Sequence, residues 1–291
     1  MNDKVVFDGL FLGVGAMKAG TTWLYALLER HPDLFFTFEK EIHYFYHCNM
    51  DFSILSEKRR LENARDKYAI INPDANRAIG VRNRLRWVAN YLDSPIDDLW
   101  YRNLFLFRQE QPYCCDFSNL YALLDERAWQ HVLSTSARLR VLYTLRDPLK
   151  RLWSHVKFHL QVTGQIHLLD EWGPDEFKRF ARRPFIWDNA EYGQAIRRMR
   201  AVLPAEVLKV AFFEDIHADP RAFLRSIEGF LGIRQFDYPQ AVIDRRVNES
   251  VTRPMPDYFG DLFAIDTRRI VDEVRAEGLN PPATWSVNQS G

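Results

Sequence analysis

Apolar runs of strand length alternate along this chain with stretches of helical period. Residues 5–14 are apolar apart from Asp8 and Gly9 and predict a buried strand; residues 34–38, Leu139–Leu145 and residues 207–213 predict three more. Residues 23–30 read as a helix stopped at His31-Pro32, residues 57–68 as a charged helix, and residues 127–134 as another. Pro148 falls in the first turn of a helix running to about residue 161, where proline is tolerated. Residues 188–203 predict a helix ending before Pro204. Asp219-Pro220 opens one, aspartate as cap and proline next, that runs to Phe230 and stops at Gly232. Residues 256–277 read as a terminal helical region. Residues 72–111 are mixed, aromatic and basic, and yield no firm elements. Residues 164–184, rich in Trp, Gly and Pro, read as irregular, a candidate mobile segment over a site. No repeat, low-complexity stretch or linker divides the chain. Alternating strands and helices predict an α/β fold: one domain over residues 1–291, a central parallel sheet flanked by helices on both faces.

Composition fits that picture and narrows the partners. Of 291 residues, 47% are hydrophobic and 27% charged, as in globular proteins. Basic and acidic residues balance at 39 each, so net charge gives no argument for a nucleic-acid partner. Basic residues are still locally dense, at residues 82–86 and at Arg245-Arg246; a solvated helix face explains the first. Cys48, Cys114 and Cys115, an odd count with two adjacent, argue against a disulfide framework. No metal-ligand spacing occurs, since His43 and His47 at i, i+4 lack a third partner. No membrane span and no leader pattern is evident, and a cytoplasmic setting is expected. The sequence leaves the oligomeric state open.

The densest chemistry lies at residues 13–23, Gly-Val-Gly-Ala-Met-Lys-Ala-Gly-Thr-Thr-Trp. A strand feeding a small-residue turn that opens a helix aims free N–H groups and the positive end of the helix dipole at one point. Lys18 adds a full charge there, and Thr21 and Thr22 add hydroxyls. Lys18 precedes Gly20 by two residues, which is the wrong register for a Walker loop, where lysine follows the glycine directly. A plain strand–turn–helix junction with Lys18 solvated is the alternative. A second cation closes the strand Leu139–Leu145: Arg146-Asp147-Pro148, with Arg151, Ser154 and His155 following. Arg146 can grip a phosphate with two parallel donors. Arg151 and Ser154, three apart, share a helix face and are candidates for the same anion. Taken alone, Arg-Asp-Pro also fits a simple turn with an ion pair. Two anion sites on separate strand ends fit a nucleotide phosphorylated at two positions.

Both motifs resemble those of sulfotransferases that use 3′-phosphoadenosine-5′-phosphosulfate (PAPS). Lys-x-Gly-Thr-Thr-x-Leu resembles their 5′-phosphosulfate loop (residues 13–23), and Arg-Asp-Pro-x-x-Arg-x-x-Ser-His their 3′-phosphate motif (residues 146–155). The resemblance implies a P-loop-like fold. It implies that Lys18, Ala19, Gly20, Thr21, Thr22 and Trp23 hold the 5′ end of PAPS and that Arg146 and Ser154 hold the 3′-phosphate, with Tyr192 also at the cofactor. Residues 39–45, Glu-Lys-Glu-Ile-His-Tyr-Phe, resemble the family's Lys-Glu-x-His-Phe-Phe, which makes Glu41 the catalytic base. His43 becomes a candidate helper and Lys40 a contact to the transferring group. Without that match Glu41 reads as a surface carboxylate beside Lys40. Residues 116–121, Asp-Phe-Ser-Asn-Leu-Tyr, resemble the family's Glu-x-Thr-Pro-x-Tyr, which lines the acceptor cleft, and depart from it at three positions. The segments Phe213-Glu214-Asp215 and Phe230-Leu231-Gly232 also align, so the resemblance spans about residues 7–235. A C-terminal cap over about residues 236–291 is expected, with Arg246 or Asn248 as candidates to close over the nucleotide.

The expectation is therefore a bacterial enzyme that moves a sulfuryl group from PAPS to an acceptor hydroxyl. Lys18 would stabilise the leaving group, no metal would be needed, and the product would be 3′,5′-adenosine bisphosphate. The acceptor is expected to be a small molecule or glycan, carbohydrate first. Two alternatives stand beside it: an ATP-dependent small-molecule kinase, and a non-catalytic nucleotide-binding protein of the same fold. The aromatic stretch over residues 82–108 is a candidate sugar-stacking surface, although aromatic residues at that spacing are more often core.

Overall fold

A computed structural model of the chain describes residues 5–245 and 253–285. Five strands, β1 (Leu10–Gly13), β2 (Leu34–Phe36), β3 (Tyr113–Asp116), β4 (Leu139–Leu145) and β5 (Leu208–Phe212), pair in the order β2-β3-β1-β4-β5. All four pairings are parallel. Neighbouring residues on a strand point to opposite faces, and here both faces are dry. Leu10, Leu12, Val141 and Tyr143 enter one core, while Phe11, Cys115, Leu142 and Ala211 enter the other.

The second of these faces is covered by α1 (Thr21–Leu28), through Leu24, Leu27 and Leu28. The first is covered by α2 (Tyr44–Asn49), α4 (Ala78–Leu92), α5 (Asp98–Asn103) and α6 (Glu126–Ser134), with α3 (Glu57–Asn63) packed on α4; most of these arise in the long excursion between β2 and β3. Residues 72–111, unassigned from the pattern alone, thus hold α4 and α5. Their aromatics are core: Trp87, Tyr91, Trp100, Tyr101 and Phe105 are all buried, and Trp87 stacks on Tyr91 with ring centres 5.0 Å apart. This removes those five from any sugar-stacking surface.

After β4 comes α7 (Pro148–Val162), capped by Asp147, whose carboxylate accepts from the N–H groups of Leu149 (3.0 Å) and Lys150 (3.1 Å). Residues 164–184 are not irregular. They fold into α8 (Leu168–Glu171) and α9 (Pro174–Ala181), with α10 (Pro184–Trp187) following. Pro174 and Pro184 each begin a helix, where proline is preorganised rather than disruptive. Phe177, Phe180 and Ala181, at i, i+3, i+4, pack on Trp153, Val156 and Leu160 of α7 in a third core. The chain then adds α11 (Tyr192–Arg200), and after β5 α12 (Phe213–Ala218), α13 (Pro220–Leu231) and α14 (Gln240–Ile243). Helices α15 (Asp257–Leu262) and α16 (Ala264–Ala276) finish the fold, the latter against α11. No helix of the described residues is long and apolar enough to cross a membrane.

Because all strands run the same way, the loops after β1, β4 and β5 gather on one edge of the sheet. Ligands collect at that edge in open α/β sheets.

Candidate anion-binding and catalytic site

The segment after β1 is built for close approach. A side chain on Gly13 would start 2.6 Å from the Phe117 ring, and one on Gly20 would start 2.7 Å from the Phe213 ring. Gly20, at φ 81°, caps α1 with no side-chain acceptor of its own. The first-turn N–H groups of α1, in Thr21, Thr22 and Trp23, have no intrahelical acceptor, as at any helix N-terminus. Lys18 takes the left-handed conformation (φ 71°) that L side chains rarely adopt. The loop is tied to β4: Val14 N–H donates to Leu142 O (3.0 Å) and Ala16 N–H to Thr144 O (2.7 Å).

Arg146 reaches this loop from the end of β4. Its guanidinium donates to the Lys18 carbonyl at 2.9 Å and lies over the Phe213 ring at 4.6 Å. The Lys18 ammonium lies 4.2 Å over Phe158 of α7. Burial, with Arg146, Lys40 and Lys157 nearby, brings the Lys18 ammonium down to about 8, and burial also lowers Arg146. Aromatic faces favour both cations without neutralising them. Asp147 N–H donates to Glu214 of α12 at 3.0 Å, which fixes the end of β4 against the end of β5.

Glu41 arrives on the segment between β2 and α2. Lys40 Nζ donates to Glu41 Oε1 (2.9 Å) and to Thr22 Oγ1 (3.4 Å), while His43 Nε2 is 3.4 Å from Glu41 Oε2. Burial pushes the Glu41 carboxyl up, but the His43 hydrogen bond and the Lys40 charge outweigh it and hold it at about 2. His43 is also left-handed (φ 59°), and its N–H donates to Ser118 Oγ at 2.9 Å. Ser118 donates in turn to Asp116 (2.6 Å), which also accepts from Tyr121 (2.7 Å) and Tyr101 (3.0 Å). Burial raises the Asp116 carboxyl.

These elements enclose a cavity of about 620 Å³. Eight expected residues line it: Lys18, Gly20, Thr21, Thr22, Trp23, Glu41, Arg146 and Ser154. Other expected residues stand behind it. Ala19 is buried and spends its N–H on Ala16 O (3.1 Å). Tyr192 is fully buried and donates its hydroxyl to the Arg146 carbonyl at 2.9 Å, so it positions Arg146 rather than lining the cavity. His43 flanks Glu41 without joining the lining. Arg151 does not share the anion site with Ser154. It is fully buried, bonded to His155 Nδ1 (3.2 Å) and the Ile186 carbonyl (3.3 Å), because α7 turns that side chain toward α10. Burial and Arg151 push His155 down to about 2, so it is a neutral acceptor. Of residues 116–121, Asn119 lines the cavity, while Asp116, Ser118 and Tyr121 form the buried network behind His43. Arg246 and Asn248 lie outside the described residues.

Sequence reasoning missed Phe158, Phe213 and His217 as walls of the cavity. The Phe213-Glu214-Asp215 segment was legible as a motif, but a ring that supports a cation and abuts a glycine from another strand end leaves no local signal. Arg245, two residues past α14, also reaches the lining.

A family model described as "Sulfotransferase family" matches residues 11–238. Among solved structures, a sulfotransferase from Alicyclobacillus acidocaldarius superposes with a TM-score of 0.58 at 22% identity, covering 95% of this chain and 98% of that one. The sulfotransferase domain of the Synechococcus PCC 7002 olefin synthase gives 0.55 at 18% identity, covering 96% and 98%. These two likenesses are likenesses of fold. No curated protein sequence matches the chain.

Proposed function

We propose, from the premise that this chain belongs to the sulfotransferase family, that it transfers a sulfuryl group from PAPS to a hydroxyl of a small molecule or glycan. The observation that carries the reading is one cavity in which Lys18 and Arg146, half-buried and supported by aromatic rings, face the same space as the Glu41 carboxylate. Cations so held are suited to an anion with charge at two places. Lys18, the hydroxyls of Thr21 and Thr22 and the N-terminus of α1 would take the 5′-phosphosulfate; Arg146 and Ser154 would take the 3′-phosphate.

In the reaction the bond between sulfur and the bridging oxygen breaks, and the acceptor oxygen forms a new bond to sulfur. The acceptor proton passes to the Glu41 carboxylate, and the bridging oxygen keeps the electron pair as part of 3′,5′-adenosine bisphosphate. Lys18 stabilises the charge that grows on that oxygen, the kind of preorganised electrostatic effect that dominates loose group transfers. Glu41, held at about 2, stays ionised throughout the neutral range. Were Lys40 to turn toward the incoming sulfuryl group, Glu41 would lose a counter-charge and become a stronger base. A cytoplasmic setting suits the three free cysteines.

The test is transfer of radiolabelled sulfate from PAPS by the purified chain onto a panel of sugars, phenols and alcohols. Labelled product is expected from the wild type, and a loss of at least a hundredfold from Lys18→Ala. Phosphoryl transfer from ATP onto the same panel, with none from PAPS, would overturn the reading.

A further inference from the structure

A second cavity, about 650 Å³ and open to solvent, runs along a face of α4 that the core does not use. Ala78, Val81, Leu85 and Ala89 form its floor at i, i+3, i+7, i+11, and Ile71 and Pro73 of the preceding segment form its side. The buried residues of α4 are Trp87, Val88 and Tyr91, a different stripe of the same helix. The outer stripe is unusually apolar for a surface. Ile70, Ile71, Ile79 and Leu85 are 57%, 53%, 52% and 43% exposed, and every residue from 69 to 80 is exposed. Arg84 donates to the Ile70 carbonyl at 2.6 Å and so pins the isoleucine segment to the helix.

Charge is concentrated on the same element. Helix α4 carries Arg82, Arg84 and Arg86, is preceded by Arg77, and contains no acidic residue. Residues 57–92 hold nine lysines and arginines against four acids, in a chain whose total is balanced at 39 and 39. A basic helix with an exposed apolar stripe is the pattern that lies in the plane of an anionic bilayer surface.

We propose that this face is a peripheral membrane-docking surface, with the arginines on anionic lipid head groups and the isoleucines and Leu85 at the edge of the acyl region. A bilayer suits it better than a folded partner, because the exposed isoleucines and Leu85 lie beside arginines on a helix that carries no acidic residue. The surface is coupled to the catalytic side. Trp87 of α4 packs against Phe38 with ring centres 5.8 Å apart, and Lys67 and Tyr68 both bond Glu39, two residues before Glu41.

The experiment is sedimentation of the full chain with vesicles of phosphatidylcholine, with and without 30% phosphatidylglycerol. Binding is expected for the anionic vesicles alone, to weaken in 0.5 M salt, and to fall at least tenfold in Arg82→Glu/Arg86→Glu and in Leu85→Asp. A control reversal on α16, Arg268→Glu/Arg275→Glu, should bind as the wild type, and circular dichroism should report the same fold in all. Absence of binding at low salt would overturn the proposal, as would equal binding by the α4 variants. A concentration-dependent dimer that Leu85→Asp abolishes, without vesicle binding, would assign the groove to a second copy of the chain and also overturn it.

Discussion

Among the described residues, Lys18 and His43 are the non-glycine positions with left-handed backbones, at φ 71° and 59°. Such conformations cost on the order of 1 kcal/mol and persist where the surroundings over-determine them. Here the Arg146 bond to the Lys18 carbonyl and the Ser118 bond to the His43 N–H supply that constraint. The ionisation of Lys18 makes a signed prediction. Its ammonium is charged below about 8 and neutral above, so kcat/KM for PAPS should fall as pH rises through about 8. Glu41, held at about 2, should give no matching acid limb between pH 4 and 7. A pH–rate profile measures both, and Lys18→Arg should move the alkaline limb upward. Glu41→Gln should cost roughly 10²–10⁴-fold in turnover if the carboxylate takes the acceptor proton, the usual contribution of a general base. Wild-type turnover in that variant would remove Glu41 from the chemistry. Lys18, Arg146 and Ser154 were legible because each sits in a motif attached to a strand end. The roles of Tyr192 and Arg151 were not, because a helix position alone does not say which way a polar side chain turns.

Single substitutions at element junctions test how the loop is held. Gly20→Ala forces a left-handed alanine whose new carbon starts 2.7 Å from the Phe213 ring. It should lower stability by about 1–3 kcal/mol, read as a shift in the urea midpoint. Asp147→Ala removes the cap of α7 and should cost about 1 kcal/mol in the same measurement. Four of the five strands could be read from apolar runs. The fifth, β3, could not: it is four residues long, Tyr-Cys-Cys-Asp, and its final position is a carboxylate. That carboxylate is tolerated because Ser118, Tyr101 and Tyr121 all donate to it, an arrangement that the alternation of apolar and polar positions does not record. Residues 164–184 misled for the opposite reason. Their prolines look like breakers, but each begins a helix, and only packing on α7 distinguishes the two cases.

At the scale of the whole molecule, three strand ends meet in one cavity, and a nucleotide bound there should stabilise all of them together. At 100 times its dissociation constant, 3′,5′-adenosine bisphosphate should add about 2.7 kcal/mol, or roughly 4–5 °C in Tm for a chain of this size. Differential scanning fluorimetry checks it, and Arg146→Ala should abolish most of the shift. The α/β sheet itself was predictable because strand–helix alternation leaves few topologies. The excursion between β2 and β3 was not, since its helices earn their place by covering one face of a sheet that the local sequence does not reveal. The bond from Arg146 to the Lys18 carbonyl has a further consequence. It joins the loop after β1 to the end of β4, strands whose register already sets Gly13 opposite Leu142. The Arg146 guanidinium is therefore anchored to the backbone of the very loop that carries Lys18, so the two strand ends cannot shift without carrying both cations. If the proposed reading holds, the pair would act as a gauge on the span between a nucleotide's two phosphates.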